Sequence, residues 1–356
     1  MQSKADPCVF LLYDNVGALV VAVGLHVDDF MLGAEQSAMQ EAKDKLKRRI
    51  DLGDDGRASW FLKIRFTWSA DGKTLYMTQP DYIERIVEAA GLRLSDTERL
   101  PGAPGRVLLP AVTGDVDAPV DMEPFRKVLG MVSYVSAVLR PDITYHTAAV
   151  QRCAAEPRRR HWASLLHIVR YLAGTRYYGI RFSADLEEEN PSRFRIVGYS
   201  DADHCRDPQT RRSISGGCIL MNGGPLNWFS SMNKHMTRST MESELSALDR
   251  AAKEALFVRK LAQECKVPGA DIIEIYEDNQ ACERFANSSK VTKLNKHIDI
   301  KYHAVRDDVK RRRLAVVGVD TKSQVADIFT KALDAPTFER LRAMMGIVEV
   351  PVELRK

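Results

Sequence analysis

The sequence predicts an α/β chain of mixed α+β character, built from more than one unit. Three observations carry this. Strand-like runs joined by turn residues open the chain, helix-like runs fill its middle, and strands alternate with helices in its last block. At 356 residues there is room for two or three domains.

A first unit is read over 1–95. Residues 9–13 and 18–25 are strand-like and flank Asp14-Asn15-Val16-Gly17, a hairpin signal. A hairpin is not stable alone, so a sheet must receive it. Residues 37–49 are helix-like. Residues 60–68 and 74–78 are strand-like around Asp71-Gly72, and 82–90 form a short helix. A second unit is read over 96–190. Its start, within 94–120, is rich in Pro, Gly and Asp and reads as a linker. Helices are expected over 125–139, 144–154 and 161–172, with Arg140-Pro141-Asp142 dividing the first two. Acidic residues 185–190, ending at Pro191, mark the next boundary.

The third unit is read over 191–335. A strand at 195–200 is followed by a hairpin, 217–221 with 226–229, around Asn222-Gly223-Gly224. A long helix over 239–264 opens with Ser239-Thr240-Met241-Glu242, a capping-box pattern. Its apolar stripe is Met241, Leu245, Leu248, Ala252, Ala255, Val258 and Ala262. A strand at 272–276 and helices at 280–286, 296–310 and 325–333 complete a mixed sheet with helices packed on it. Residues 336–356 read as a C-terminal tail with a helix.

A hydrophobic fraction of 45% excludes wholesale disorder. The net charge of +4 is only a weak pointer to nucleic acid. Six scattered cysteines without a CxxC pair fit reduced thiols better than a disulfide framework or a zinc site. The longest apolar run, 16–25, is too short to span a bilayer and is not flanked like a signal peptide. No membrane partner is expected, and the localisation expected is intracellular, in cytoplasm or nucleus.

Candidate chemistry lies in carboxylates. Asp201 and Asp278 each follow a strand-like run, and sites in open α/β sheets gather at the carboxyl ends of strands. If the two strands are parallel neighbours, both side chains enter one crevice. Glu244 borders the apolar stripe of the long helix, where an uncompensated charge is costly. Asp327 falls in the first turn of the helix expected at 325–333, where it also suits the helix dipole. Such a group repels itself unless it is protonated or binds a cation, and Mg²⁺ favours hard oxygen donors.

These residues sit in motifs that resemble a known family. Gly198-Tyr199-Ser200-Asp201-Ala202-Asp203, Arg212-Ser213-Ile214-Ser215-Gly216, Ser239-Thr240-Met241-Glu242-Ser243-Glu244, Glu277-Asp278-Asn279-Gln280-Ala281, Lys296-His297-Ile298-Asp299-Ile300-Lys301-Tyr302-His303 and Ala326-Asp327-Ile328-Phe329-Thr330-Lys331 occur in this order. Together they resemble the RNase H part of copia-type LTR retrotransposon Pol polyproteins. His26-Val27-Asp28-Asp29 resembles the reverse-transcriptase palm motif. Phe61-Leu62-Lys63-Ile64 with Gln79-Pro80-Asp81-Tyr82 resembles the primer-contacting region that follows it. Leu129-Gly130 through Tyr134, Arg140-Pro141-Asp142-Ile143 and 161–175 resemble the thumb and connection.

The resemblance implies the end of a reverse-transcriptase palm, then a helical thumb or connection, then an RNase H-like mixed sheet flanked by helices. It implies Asp201, Glu244, Asp278 and Asp327 as catalytic, metal-binding carboxylates, with Glu244 preferred to Glu242. It implies Asp28 and Asp29 as a polymerase-site remnant. Two Mg²⁺ ions are expected, with Mn²⁺ as an alternative. The expected partners are an RNA–DNA hybrid or template–primer duplex and the remaining reverse-transcriptase and integrase parts of a polyprotein. Departures are His26 in place of Tyr, Lys63 where the family favours Gly, and His204-Cys205 where a Trp often follows. The family's earlier palm segment, with its third metal-binding Asp, is not in this sequence. DNA synthesis by this chain alone is therefore not expected, whereas hydrolysis of the RNA strand of a hybrid is.

Arg158-Arg159-Arg160, Arg211-Arg212 and Lys310-Arg311-Arg312-Arg313 are candidates for phosphate contacts, against the alternative of an ordinary solvated face. Trp60, Trp162 and Trp228 are expected in the core, and His297 and His303 in structural roles. Two competing readings are a decayed or co-opted fragment that binds nucleic acid or nothing, and an integrase-like nuclease, which needs a different carboxylate pattern.

Overall fold

The structure is a computed structural model that describes residues 1–51, 53–54, 56–184, 196–288 and 300–355. The acidic boundary at 185–191, the start of the strand expected at 195–200, His297 and the Lys296-to-Asp299 motif lie outside the described residues.

The opening hairpin is received by a third strand. β1 (Val9–Tyr13) and β2 (Leu19–His26) pair antiparallel, and β3 (Asp29–Ala34) pairs with β2, so three strands share the sheet. β3 goes unread in the sequence because His26-Val27-Asp28-Asp29 does not look like a turn. Val27 takes a left-handed φ of 53° at the hairpin tip, a conformation a β-branched residue rarely adopts. Helix α1 (Gln36–Lys47) follows.

The run at 60–68 is not one strand, which corrects the expectation. It is a hairpin of β4 (Trp60–Phe61) and β5 (Ile64–Trp68), turning at Leu62 and Lys63. Both turn residues are left-handed, with φ of 51° and 62°. Consecutive left-handed residues suit the twist of a two-residue hairpin, and glycine would take the position of Lys63 without steric cost. Here Tyr134 donates to the Leu62 carbonyl at 2.7 Å, and the Lys63 ammonium lies over the Tyr82 ring at 5.0 Å. These contacts offset part of the backbone cost. Trp60 is 48% exposed and is not a core residue, also a correction. Trp162 and Trp228 do pack against the core, and the Trp228 indole donates to the Ser136 carbonyl at 2.9 Å.

β6 (Thr74–Thr78) leads into α2 (Pro80–Ala89). After an irregular stretch come α3 (Met122–Val138), α4 (Thr144–Gln151) and α5 (Arg159–Gly174). The irregular stretch is tied down: Leu108 is buried, and Asp115 and Asp117 pair with Arg160. β7 (Tyr178–Ser183) was not read from the sequence. It pairs with β6 on one side and with the C-terminal β13 (Ile347–Glu349) on the other. The resulting sheet, ordered β13-β7-β6-β5-β4, joins segments from three of the four units read in the sequence.

The last block folds as a second five-stranded sheet. β8 (Ile196–Asp203), β9 (Ile214–Met221) and β10 (Gly224–Met232) form an antiparallel meander. The long helix α6 (Thr240–Glu264) crosses to β11 (Ile273–Glu277), which pairs parallel with β8. Helices α7 (Gln280–Asn287) and α8 (Ile300–Lys310) cross to β12 (Leu314–Gly318), parallel to β11. The order is β10-β9-β8-β11-β12. Ile196, Ile219, Ile273, Ile275, Leu314 and Val316 bury one face under α6, α7 and α8. Val197, Cys218 and Leu220 bury the other face in the core shared with α2, α3 and α5. Side chains alternate faces along a strand, so β8 and β9 each supply both cores.

The stretch 325–333 is not an α-helix. A single 3-10 turn spans Val325–Phe329, a correction with a physical cause. Val325, Ala326, Asp327, Ile328 and Phe329 are all buried, which leaves no solvent face for an amphipathic helix. α9 (Ala335–Met344) and β13 then return to the other sheet, so residues 336–349 are built into the fold rather than trailing from it.

Candidate active site

Four carboxylates meet where β8 and β11 end. The parallel register pairs Tyr199 with Tyr276. Continued by one residue it sets Ser200 beside Glu277, and the Ser200 hydroxyl donates to Glu277 at 2.9 Å. Asp201 and Asp278 both lie beyond the last residues paired between the two strands, and both press electrostatically on Glu244, Glu277 and Asp327. Asp201 does not follow its strand, as read from the sequence. It lies within β8, which runs on to Asp203, because β9 pairs with β8 over that whole length. Asp278 does follow β11.

Asp201 is buried on the face of the sheet that receives the 3-10 turn. Its β9 partner is Gly216, and a Cβ there would sit 2.6 Å from the Phe329 Cβ. The missing side chain lets the turn lie flat on the strands and brings Asp327 to Asp201. Thr330 donates its hydroxyl to Asp201. The Lys331 ammonium lies 2.9 Å from Asp327 Oδ1 and 3.6 Å from Asp201 Oδ2.

Glu244 approaches from the opposite face. Ser239 caps α6 by accepting from the Glu242 N–H, and Glu242 accepts from the Arg238 N–H at 2.6 Å. Glu242 therefore serves the helix terminus. Glu244, two residues on, points inward and is 5% exposed, and its Oε2 has no hydrogen-bond partner among the described residues. The first turn of α6 is also joined to the loop after β8, where His204 Nδ1 lies 3.0 Å from Ser243 Oγ.

The electrostatics follow from this crowding. Burial, then the neighbouring Glu277, Asp201 and Asp278, push the Glu244 carboxyl up to about 10. Burial and Asp201 push Asp327 up to about 7 against the opposing pull of Lys331. Burial raises Glu277 well above the ordinary range. Burial alone would lower the Lys331 ammonium, but Asp201 and Asp327 outweigh it and the net shift is upward. Among the described residues, no three His, Cys, Asp or Glu side chains are drawn together as a ready metal cage. The donor set nevertheless fits a hard divalent cation, being all carboxylate oxygen, with Glu244 Oε2 and Asp327 Oδ1 buried without a hydrogen-bond partner among the described residues, the latter ion-paired with Lys331.

A pH prediction follows. A carboxylate raised on folding binds its proton more tightly in the folded state, so stability is lost as pH rises from its unfolded toward its folded value. In metal-free buffer the protein is expected to lose thermal stability between about pH 5 and pH 9. Glu244→Gln is expected to flatten that slope. Thermal denaturation in EDTA across this range checks it, and equal slopes in both chains would show that Glu244 is ionised at neutral pH.

Glu277, Thr330, Lys331, Gln324 and Gly216 were not singled out as site residues in the sequence. For Glu277 the signal was available: alternation from Ile273 and Ile275 puts it on the buried face. Gln324 donates to the Ser200 carbonyl at 2.9 Å and caps the 3-10 turn, a tertiary fact without a local signature. Asp28 and Asp29 are exposed at the β2–β3 tip, far along the chain from this site, and no third ligand joins them in a metal-holding group among the described residues.

The basic runs divide. Arg160 is held by Asp115 at 2.5 Å and Asp117 at 3.1 Å, and Arg158 pairs with Glu156. Arg311 pairs with Asp307 at 2.7 Å and Arg313 with Asp308 at 3.0 Å. Those four guanidiniums already have anionic partners. Arg159, Arg211, Arg212, Lys310 and Arg312 are exposed. His303 packs against Phe285 and lies 3.2 Å from the Arg306 guanidinium, a structural position.

A mixed five-stranded sheet flanked by helices, with carboxylates near the ends of its parallel pair, defines an α/β unit with a candidate carboxylate centre, here joined to a second sheet and a helical core. Residues 1–103 match the model of the reverse transcriptase (RNA-dependent DNA polymerase) family, and the chain as a whole is similar to the Pol polyproteins of copia-like transposons. It is 26% identical over 352 residues to the retrovirus-related Pol polyprotein from transposon TNT 1-94 of Nicotiana tabacum, a match over 98% of this chain and 26% of that protein. The chain thus spans about a quarter of the length of that relative. Over 135 residues it is 33% identical to secreted RxLR effector protein 161 of Plasmopara viticola, covering 38% of this chain and 91% of that protein. Among solved structures, the foamy viral protease-reverse transcriptase in complex with RNA/DNA hybrid is 12% identical and covers 84% of this chain and 36% of that one, with a TM-score of 0.44. No helix among the described residues is long and apolar enough to cross a membrane.

Proposed function

We propose that the chain hydrolyses the RNA strand of an RNA–DNA hybrid at the site formed by Asp201, Glu244, Asp278 and Asp327. The observation that carries this is the parallel β8–β11 pairing, which ends two residues short of Asp201 and Asp278, with Glu244 buried and its Oε2 unpartnered among the described residues. These four residues would hold Mg²⁺, two ions or their Mn²⁺ equivalents, which when bound supply charge stabilisation for the leaving oxygen and an activated water. The residues of the chain do the positioning. Thr330 and Lys331 orient Asp201 and Asp327, and the Ser200–Glu277 bond fixes the ends of the two strands. The exposed Arg159, Arg211, Arg212, Lys310 and Arg312 contribute salt-dependent phosphate contacts that carry no sequence preference. The hybrid would be sensed by groove shape and 2′-hydroxyls. Asp28 and Asp29 are assigned no step in this reaction. The other parts of a Pol polyprotein are the proposed protein partners.

The test is cleavage of a labelled RNA–DNA hybrid by the purified chain in Mg²⁺, in EDTA, and with Asp278→Asn. Cleavage is expected only for the wild type in Mg²⁺. Equal, negligible cutting by wild type and Asp278→Asn would favour a second reading, a co-opted fragment without catalysis. The resemblance to an effector protein over 135 residues is the observation that supports that alternative.

A further inference from the structure

Within the carboxylate cluster the positive charge is unevenly shared. On the side of the 3-10 turn, the Lys331 ammonium contacts Asp327 Oδ1 at 2.9 Å and Asp201 Oδ2 at 3.6 Å. On the α6 side, Glu244 is buried with an oxygen unpartnered among the described residues. The Lys331 side chain is about one-third exposed, so it has a path out to solvent. Lys331 follows the 3-10 turn by two residues and lies four residues from Asp327, which keeps a displaced ammonium tethered nearby.

Resting on the proposed function, we propose that Lys331 is a built-in counter-cation that competes with the divalent ion for Asp201 and Asp327 and so sets the metal affinity of the site. The ammonium is a donor only and occupies the lone pairs that a metal needs. Two cations at that separation also repel strongly in a partly buried site. Metal entry therefore requires Lys331 to leave its present contacts. With no metal bound, the same ammonium offsets the repulsion between Asp201 and Asp327 and holds the turn on the sheet.

Calorimetric titration of the full chain with MgCl₂, and separately with MnCl₂, tests this. Lys331→Gln and Lys331→Met remove the charge in two different shapes, so the test survives if one of them folds poorly. Each is expected to bind metal about tenfold or more tightly than wild type. Lys331→Arg keeps the charge and is expected to stay within about threefold of wild type. The melting temperature in EDTA is expected to fall in the two charge-free variants, and the Mg²⁺-induced rise to grow. Wild-type affinity in the charge-free variants, with binding abolished by Asp201→Asn, overturns the competition while leaving the hydrolytic reading in place. Absence of any metal binding in wild type and variants alike overturns both.

Discussion

Arg140→Ala is expected to cost about 3–5 kcal/mol of folding stability, the range for breaking a buried ion pair from one side. Arg140 and Asp142 are both fully buried between α3 and α4. The guanidinium is bidentate on Asp142, with contacts of 2.9 and 2.8 Å, and it also donates to the Thr175 carbonyl at 3.0 Å and hydroxyl at 2.8 Å. Tyr171 donates to the same carboxylate, and Arg342 of α9 reaches the Tyr171 hydroxyl at 3.0 Å. Burial alone would push the Asp142 carboxyl up, but Arg140 outweighs it and holds it below the usual range. That contribution is present above the unfolded carboxylate value of about 4 and is lost as pH falls through the lower folded value. Truncating Arg140 leaves a buried carboxylate facing a phenol and one distant guanidinium. The double variant Arg140→Met with Asp142→Leu removes both charges and is expected to recover most of the loss. Thermal unfolding by circular dichroism at pH 7 measures both. A double variant as unstable as the single one would show that the cost lies in packing rather than in the orphaned charge.

Asp201→Asn is expected to lower hybrid cleavage more than about 100-fold, since even outer-shell changes at metal sites cost about 10–100-fold. Asp201 is the carboxylate on which the site's other parts converge: it accepts from Thr330, faces Lys331 and raises both Glu244 and Asp327. Asparagine keeps the shape and one acceptor oxygen for the Thr330 hydroxyl and Lys331 ammonium, but it loses the negative charge and the second oxygen that a hard metal ligand supplies. The fold itself should persist, because the β8–β9 and β8–β11 ladders are backbone bonds. The measurement is single-turnover cleavage in saturating Mg²⁺, with far-ultraviolet circular dichroism as the control for folding. Cleavage within a few-fold of wild type would remove Asp201 from the catalytic group.

Local pattern was sufficient for the helices α2 to α6 and for the β1–β2 hairpin, because each has a strong period or turn signal of its own. It failed at Leu62 and Lys63, where two residues without turn character bend under contacts from Tyr134 and Tyr82. It failed again at β7 and β13. Each is a short segment whose strand character comes from partners more than 100 residues away.

The sequence by itself determined the mixed fold class, the long capped helix that buries Glu244, and the motifs that tie Asp201, Glu244, Asp278 and Asp327 to one family. Those features depend on local period and on residue identity, which are written along the chain. Only the tertiary structure decided how the four meet. The parallel pairing of β8 with β11 brought the strand ends near Asp201 and Asp278 together, Gly216 let the turn carrying Asp327 lie flat against the strands, and Lys331 came to rest between Asp201 and Asp327. The physical reason is that register and close approach are set by long-range packing, and a cluster of buried like charges is stable only where that packing also supplies a counter-ion.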